Sequence, residues 1–299
     1  MIKYSCMVKS LKETIKESEE KGVAIGHFNI SDTEGLNAIF DAAKGLNVPV
    51  IIGVSEGERE FIGVAQAAAL VKSLRDEHDY PIYLNADHTY SIEKIKEAVD
   101  AGYDSVIIDA TKLPLEENIK LTKEAVEYTK GKKSLNGEDI LVESELGYIG
   151  TSSKVLDEIP EGAEITPEQL VTPEEAKSFV DATGVDMLAP AVGNLHGMLK
   201  NTANPALDIE RIKSIREIGG VPLVLHGGSG ITDKDFQKAI KAGIGVVHIN
   251  TAIRVAYKEG IKDAFEENPD DVAPYRFLAE GVEGMQKVVE RYLKLFNFL

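Results

Sequence analysis

The 299-residue sequence has a single cysteine, Cys6. One thiol excludes an internal disulfide and any cysteine-rich zinc site. With no helix or base partner evident beside it, Cys6 is expected to be inert. No apolar run approaches the ~18 residues of a membrane span. Met1 to Gly22 is charged and lacks the apolar core of a secretion signal, so a cytoplasmic protein with no membrane partner is expected. Positive charge is scarce as well: 33 Lys and Arg face 50 Asp and Glu, for a net charge of −17. That balance disfavours binding to nucleic acid or anionic lipid, and a phosphorylated ligand must be held by local groups against the global field. Linkers, repeats and low-complexity tracts are missing, so residues 1–299 read as one domain.

What the chain does have is a rhythm. Short apolar runs at 23–26, 48–52, 81–86, 105–108, 140–142, 187–189, 221–225 and 244–247 read as strands. Stretches with helical spacing lie between them, at Leu36–Ala43, 64–74, 91–101, 115–130, 173–182, 208–218, 232–242 and 252–266. Eight such alternations predict a (β/α)8 TIM barrel. A helix at 9–21 precedes it and a helical extension at about 275–299 follows. The apolar face of that extension, with Val288, Val289, Leu293 and Phe296, suits either closure of the barrel or a second subunit. The stretch from Gly147 to about Thr172 is the longest irregular one, and a loop of that length is expected to be functional or mobile.

The chemistry gathers at the strand ends. The third strand hands over to its helix at Asp87-His88, a position that opens onto the active-site face of a barrel. Of six histidines, five (His27, His88, His196, His226 and His248) fall at strand C-terminal ends, and only His78 falls on the outer helices. A lone histidine is usually structural; five on one rim point to a metal, since a catalytic zinc takes three protein ligands and an open position. Asp109, Glu143 and Glu145 lie close by as carboxylates. After the seventh strand, Gly227-Gly228-Ser229-Gly230 frees backbone N–H groups at a helix start, where barrels commonly hold phosphate. A Schiff-base route would need a lysine at a strand end, and strands five to eight offer none.

Phe28-Asn29, Asp87-His88, Ser105–Ala110, Glu143–Gly147, Gly193–Gly197, Leu225–Gly230 and Asn250-Thr251, in this order, resemble the class II, metal-dependent ketose-bisphosphate aldolases. The resemblance spans roughly residues 10 to 265. It implies that His88, His196 and His226 hold a catalytic Zn2+. Asp87 becomes the acid/base at the C4 oxygen, and Asp109 and Glu145 form an alternative metal position or a second cation site. Gly197, Gly227, Gly228, Ser229, Asn250 and Thr251 take the phosphate at the dihydroxyacetone-phosphate end, and Asn29 and Ser55 also reach substrate.

The implied reaction is reversible cleavage of a ketose 1,6-bisphosphate, first of all fructose 1,6-bisphosphate, to dihydroxyacetone phosphate and glyceraldehyde 3-phosphate. Tagatose 1,6-bisphosphate comes second, since it differs only at C4. The chemistry agrees: a base must take the C4 hydroxyl proton, and a Lewis acid must stabilise the charge that spreads to the C2 oxygen. The resemblance further implies a homodimer or homotetramer.

Two departures stand out. The family's Gly-Gly-x-Glu-Asp-like segment is replaced by Gly150-Thr151-Ser152-Ser153-Lys154, leaving Glu158, Glu161 or Glu164 as candidate loop acids. His248 stands where an asparagine is usual. The rival readings are a metal-dependent barrel hydrolase and a non-catalytic sugar-phosphate-binding barrel.

Overall fold

The computed structural model describes residues 8–150, 154–159, 166, 169–202 and 204–299. The chain begins α1 (Leu11–Lys21), β1 (Ile25–Asn29), α2 (Thr33–Leu46), β2 (Val50–Val54), α3 (Glu56–Ile62), α4 (Val64–His78), β3 (Ile82–Thr89) and α5 (Ile92–Asp100). It continues with β4 (Ser105–Ile108), α6 (Leu115–Thr129), β5 (Leu141–Leu146), β6 (Val155–Leu156), α7 (Pro173–Thr183), β7 (Met187–Pro190) and β8 (Met198–Leu199). It ends with α8 (Ile209–Gly219), β9 (Leu223–Leu225), α9 (Asp233–Ala242), β10 (Ile244–Ile249), α10 (Thr251–Glu267) and α11 (Pro274–Asn297). Eight parallel strands close into a barrel in the order β1-β10-β9-β7-β5-β4-β3-β2, and β6 pairs with β8 outside it. The TIM barrel expected from the sequence is therefore present. The short helix α3 and the β6–β8 pair are additions to it.

Strand alternation divides the barrel into an apolar floor and a polar rim. Side chains two apart share a face. Ile25, Ile51, Tyr83, Leu141, Met187, Val224 and Val246 pack together inside the barrel with Leu11 and Ile15 of α1. Each buried aliphatic side chain of this kind stabilises by roughly 1.5–3 kcal/mol. Tyr83 Oη donates to the Lys9 carbonyl (2.7 Å) and lies 2.6 Å from Thr14 Oγ1, which ties α1 across the N-terminal end. Stepping up each strand by twos from this floor reaches His27 and Asn29, Asn85 and Asp87, Glu143 and Glu145, then His226 and His248. All are buried. The floor is plugged, so the chemistry faces the other end.

The C-terminal helix packs on its own chain. Val289, Leu293 and Phe296 of α11 are buried, and Ala24 N donates to the Phe296 carbonyl (3.2 Å) beside β1. A Cβ on Gly260 of α10 would meet the Glu280 carbonyl at 2.4 Å, so α10 and α11 cross too closely there for any side chain. Among the described residues no helix is long and apolar enough to cross a membrane. Cys6 lies outside the described residues.

Candidate metal centre and active site

Strand β3 departs from regular pairing where the chemistry begins. It pairs with β4 through Ala86–Val106 and next through Thr89–Ile108, so three steps on β3 match two on β4. The extra residue is accommodated by His88, whose φ of +32° lies in the left-handed region. A non-glycine residue held there costs about 1–3 kcal/mol. The kink lets consecutive residues line one pocket: Asp87 by ordinary alternation, His88 by the added residue. Buried Arg59 of α3 grips the kink, donating from Nη1 to the Asp87 carbonyl (3.2 Å) and from Nη2 to Thr89 Oγ1 (2.9 Å).

His88, His196 and His226 converge. Ligand atoms from the three lie within 4.8 Å of one another. Their rings stand roughly perpendicular, with centroids 4.7, 5.0 and 5.7 Å apart. His196 Nδ1 donates to the Gly150 carbonyl (2.7 Å), which leaves Nε2 as its lone-pair nitrogen. His226 Nε2 donates to Glu143 Oε1 (2.7 Å), and its Nδ1 is buried without a hydrogen-bond partner. Asn194 Nδ2 donates to the His226 carbonyl (3.1 Å) while its Oδ1 accepts from Val192 N (2.9 Å), bracing the backbone beneath both loops.

His88 also belongs to a second group with Asp109 and Glu145. Its Nδ1 lies 2.9 Å from Glu145 Oε1 and 3.2 Å from Asp109 Oδ2. Burial disfavours the charged His88, but Asp87, Glu145 and Asp109 outweigh it and raise its pKa well above the usual imidazole value. Burial, with the Asp109 charge adding to it, pushes Glu145 up to about 7. Burial lowers His196 to about 4 and His248 to about 3, with neighbouring imidazoles adding to the effect.

This environment fits a cation. Asp87, Asp109, Glu143 and Glu145 are all buried, and a buried unpaired carboxylate costs several kcal/mol. Yet among the described residues no lysine or arginine lines the pocket floor. Nitrogen donors with nearby carboxylates are the set a divalent metal takes, and the unpartnered His226 Nδ1 is aimed into it.

Asp87 itself is held by Asn29, whose Nδ2 donates to Oδ2 (2.8 Å). Its Oδ1 has no hydrogen bond, and lies 3.5 Å from His248 Nδ1 and 3.9 Å from His88 Nε2. Burial pushes Asp87 up, but His88, His248 and His27 outweigh it and hold the carboxyl well below its ordinary range.

The glycine loop closes the floor together with Gly197, Asn250 and Thr251. Gly227 has φ +65°, and a Cβ there would sit 2.3 Å from the Leu195 carbonyl oxygen. Asn204 Nδ2 donates to the carbonyls of Gly197 and Ser229 (2.9 Å each), which joins the two loops. Ser229 Oγ accepts from Ala252 N (3.1 Å) at the start of α10. Ser55, Tyr90 and Arg254 stand at the pocket mouth. Ser55 Oγ donates to Glu58 (2.8 Å).

His27 is on the rim but behind His248, outside the pocket lining. His78 is on the outside, 3.2 Å from Lys44 Nζ. Glu158 is exposed and lines neither the floor nor the mouth, while Glu161 and Glu164 lie outside the described residues. Residues to which the sequence reading gave no role are Glu58, Arg59, Arg254, Asn204 and, within the Gly193–Gly197 motif, Asn194. Glu58 carried a signal, because Ser55 and Glu58 have capping-box spacing.

Residues 9–298 match the family model for fructose-bisphosphate aldolase class-II. The chain belongs to the class II fructose-bisphosphate aldolase family. A fructose-bisphosphate aldolase from Staphylococcus aureus is 36% identical over 291 residues, 96% of each chain. One from Geobacillus stearothermophilus is 35% identical over 291 residues, again 96% of each chain. The crystal structure of the YdjI aldolase from Escherichia coli K12 superposes with a TM-score of 0.77 at 31% identity, covering 97% of both chains. This class II aldolase is therefore a lyase of a metal-dependent family, which sets aside the hydrolase reading.

Proposed function

We propose that the whole chain is one catalytic domain that reversibly cleaves fructose 1,6-bisphosphate to dihydroxyacetone phosphate and glyceraldehyde 3-phosphate. The observation that carries this reading is the convergence of His88, His196 and His226 beside Asp87, on the floor that the glycine loop completes. These three histidines would hold zinc, which when bound supplies Lewis acidity for the charge developing at the C2 oxygen. Asp109 and Glu145, with His88, offer room for a second cation or an alternative position.

The chain's own residues do the rest. Asn29 engages Oδ2 of Asp87 and leaves Oδ1 to take the C4 hydroxyl proton. The hydrogen bond that Asn29 donates favours the ionised form of Asp87, as a base must have. Gly197, Gly227, Gly228, Ser229, Asn250 and Thr251 receive the phosphate at the C1 end, and Asn29 and Ser55 orient the sugar. His248 Nδ1, 3.5 Å from Asp87 Oδ1, changes the surroundings of the C4 oxygen, which supports tagatose 1,6-bisphosphate as the second substrate to try.

We place the enzyme in the cytoplasm, consistent with its single cysteine and net charge of −17. We read it as a homodimer or homotetramer, as the family resemblance implies.

The test is a coupled assay for triose phosphate released from fructose 1,6-bisphosphate, on protein stripped by a chelator and then reloaded. Turnover should vanish on stripping and return with zinc. No turnover in metal-replete protein would sink the fructose reading and move the same assay to tagatose 1,6-bisphosphate.

A further inference from the structure

One buried carboxylate beside the site has no part in metal or phosphate binding. Glu58 of α3 is 6% exposed. Its Oε2 accepts from Ser55 N (2.7 Å), Ser55 Oγ (2.8 Å) and Asn29 Nδ2 (2.8 Å). Its Oε1 pairs with Arg254 of α10. The same Asn29 Nδ2 also lies 2.8 Å from Asp87 Oδ2.

A side-chain amide nitrogen has two hydrogens in fixed directions and can serve two acceptors at once. In Asn29 both acceptors are carboxylates, one on α3 and one on β3. With one hydrogen committed to Glu58, the direction of the other is set toward Asp87. A flipped amide would turn its oxygen on both carboxylates, so the pair enforces a single orientation. Remove the Glu58 acceptor and Asn29 is free to turn, and Asp87 loses the contact that fixes which of its oxygens is available. The Ser55 contacts alone would satisfy a helix cap; the third bond, to Asn29 on a different element, is not needed for capping.

We propose that Glu58 is a positioning residue for the aldol reaction. Through Asn29 it holds Asp87 in the orientation from which Oδ1 takes the substrate proton, and Arg254 neutralises the charge that Glu58 brings. The proposal rests on Asp87 being the base, so the test carries Asp87→Asn as its control.

Steady-state kinetics on metal-loaded protein decide it. Glu58→Ala should lower kcat by about 10- to 100-fold with KM changed less than about threefold, the signature of a misplaced reacting group. Glu58→Gln keeps an acceptor for Asn29 and should return kcat to within about fivefold of the parent. In an Asn29→Ala background, Glu58→Ala should cost nothing more, because the two act through one another. Should Glu58→Ala not fold, Glu58→Asp retains the charge for Arg254 but draws the acceptor back by one methylene. The proposal then requires kcat to be lost in the Asp variant and kept in the Gln variant. The opposite order, additive losses with Asn29→Ala, or an unchanged kcat in Glu58→Ala while Asp87→Asn is inactive would each overturn it. An active Asp87→Asn enzyme would instead overturn the assignment of the base.

Discussion

The ring of His248 lies flat on the ring of His27, with centroids 3.5 Å apart and planes within 5°. The two are register partners on the adjacent strands β10 and β1, so the strand spacing itself brings them face to face. On its other side His248 stacks on His226 at 4.0 Å. Stacked ring contacts are worth ~0.5–1.5 kcal/mol each. His248→Asn, which removes two of them, should lower the unfolding free energy by about 1–3 kcal/mol in urea titrations. Since His248 also faces Asp87, the same variant should change the ratio of rates on fructose and tagatose bisphosphates. An unchanged ratio would place His248 outside substrate discrimination.

Asp87→Asn keeps the shape of the side chain and removes the proton acceptor. Turnover should fall by roughly 10²- to 10⁴-fold, the range for loss of a general base. The histidine set is untouched, so bound zinc per chain, measured by atomic emission, should match the parent. Loss of metal along with activity would make Asp87 a ligand instead.

The glycine loop is expected to be intolerant of a methyl group at Gly228. A Cβ there would lie 2.7 Å from the His248 carbonyl oxygen and 2.6 Å from Ile249 Cδ1. Gly228→Ala should therefore push the loop off its place and raise KM for the phosphorylated ketose by about tenfold or more, 1.4 kcal/mol of binding per decade. Inorganic phosphate should compete correspondingly less well. Equal KM in parent and variant would show that this loop does not meet the phosphate.

Mild acid should destabilise the metal-free protein through its buried histidines. Burial holds His27, His196, His226 and His248 below their ordinary 6.5. As pH falls through 6.5 the unfolded chain takes up protons at these four and the folded protein does not, so stability drops. Glu143, Glu145 and His88 act the other way: burial raises the two carboxyls, the carboxylates around His88 raise it, and the folded protein carries protons the unfolded chain lacks. Four outweigh three. Unfolding free energy, from denaturant titrations, should fall between pH 6.5 and 5.5 by on the order of 1 kcal/mol. Zinc should offset the loss. A flat profile over that interval would contradict the buried, neutral state of these rings.

The eight barrel strands were legible because each buries one apolar face against the helices and ends at a polar residue. The five rim histidines were legible for the same reason. What escaped was local geometry. The third strand was read to Ala86 but runs to Thr89, because the polar residues Asp87 and His88 break the apolar run while the backbone continues. Helix α3 spans only seven residues, too few to show a period. The β6–β8 pair is two residues long on each side and has no pattern to find. Glu58 and Asn29 are 29 residues apart in sequence, and only barrel closure brings them into contact. Ordinary strand alternation would point neighbours such as Asp87 and His88 to opposite faces. They do face different neighbours, Asp109 and Glu145 against Asn29, yet both line one pocket.

The kink in β3 also limits how this site could be moved. A regular strand shows a barrel's interior only every second side chain, so a neighbouring acid and imidazole grafted onto another strand would be parted by the sheet. One of the two would be lost among the helices, whichever register was chosen. The Asp87-His88 pair is portable only together with its added residue, the left-handed backbone at His88 and the guanidinium of Arg59 that clasps the carbonyl beneath. For anyone rebuilding this chemistry in another barrel, the unit of transfer is a bent segment and its clamp, and a two-letter sequence copied alone would bring the acid without its ligand.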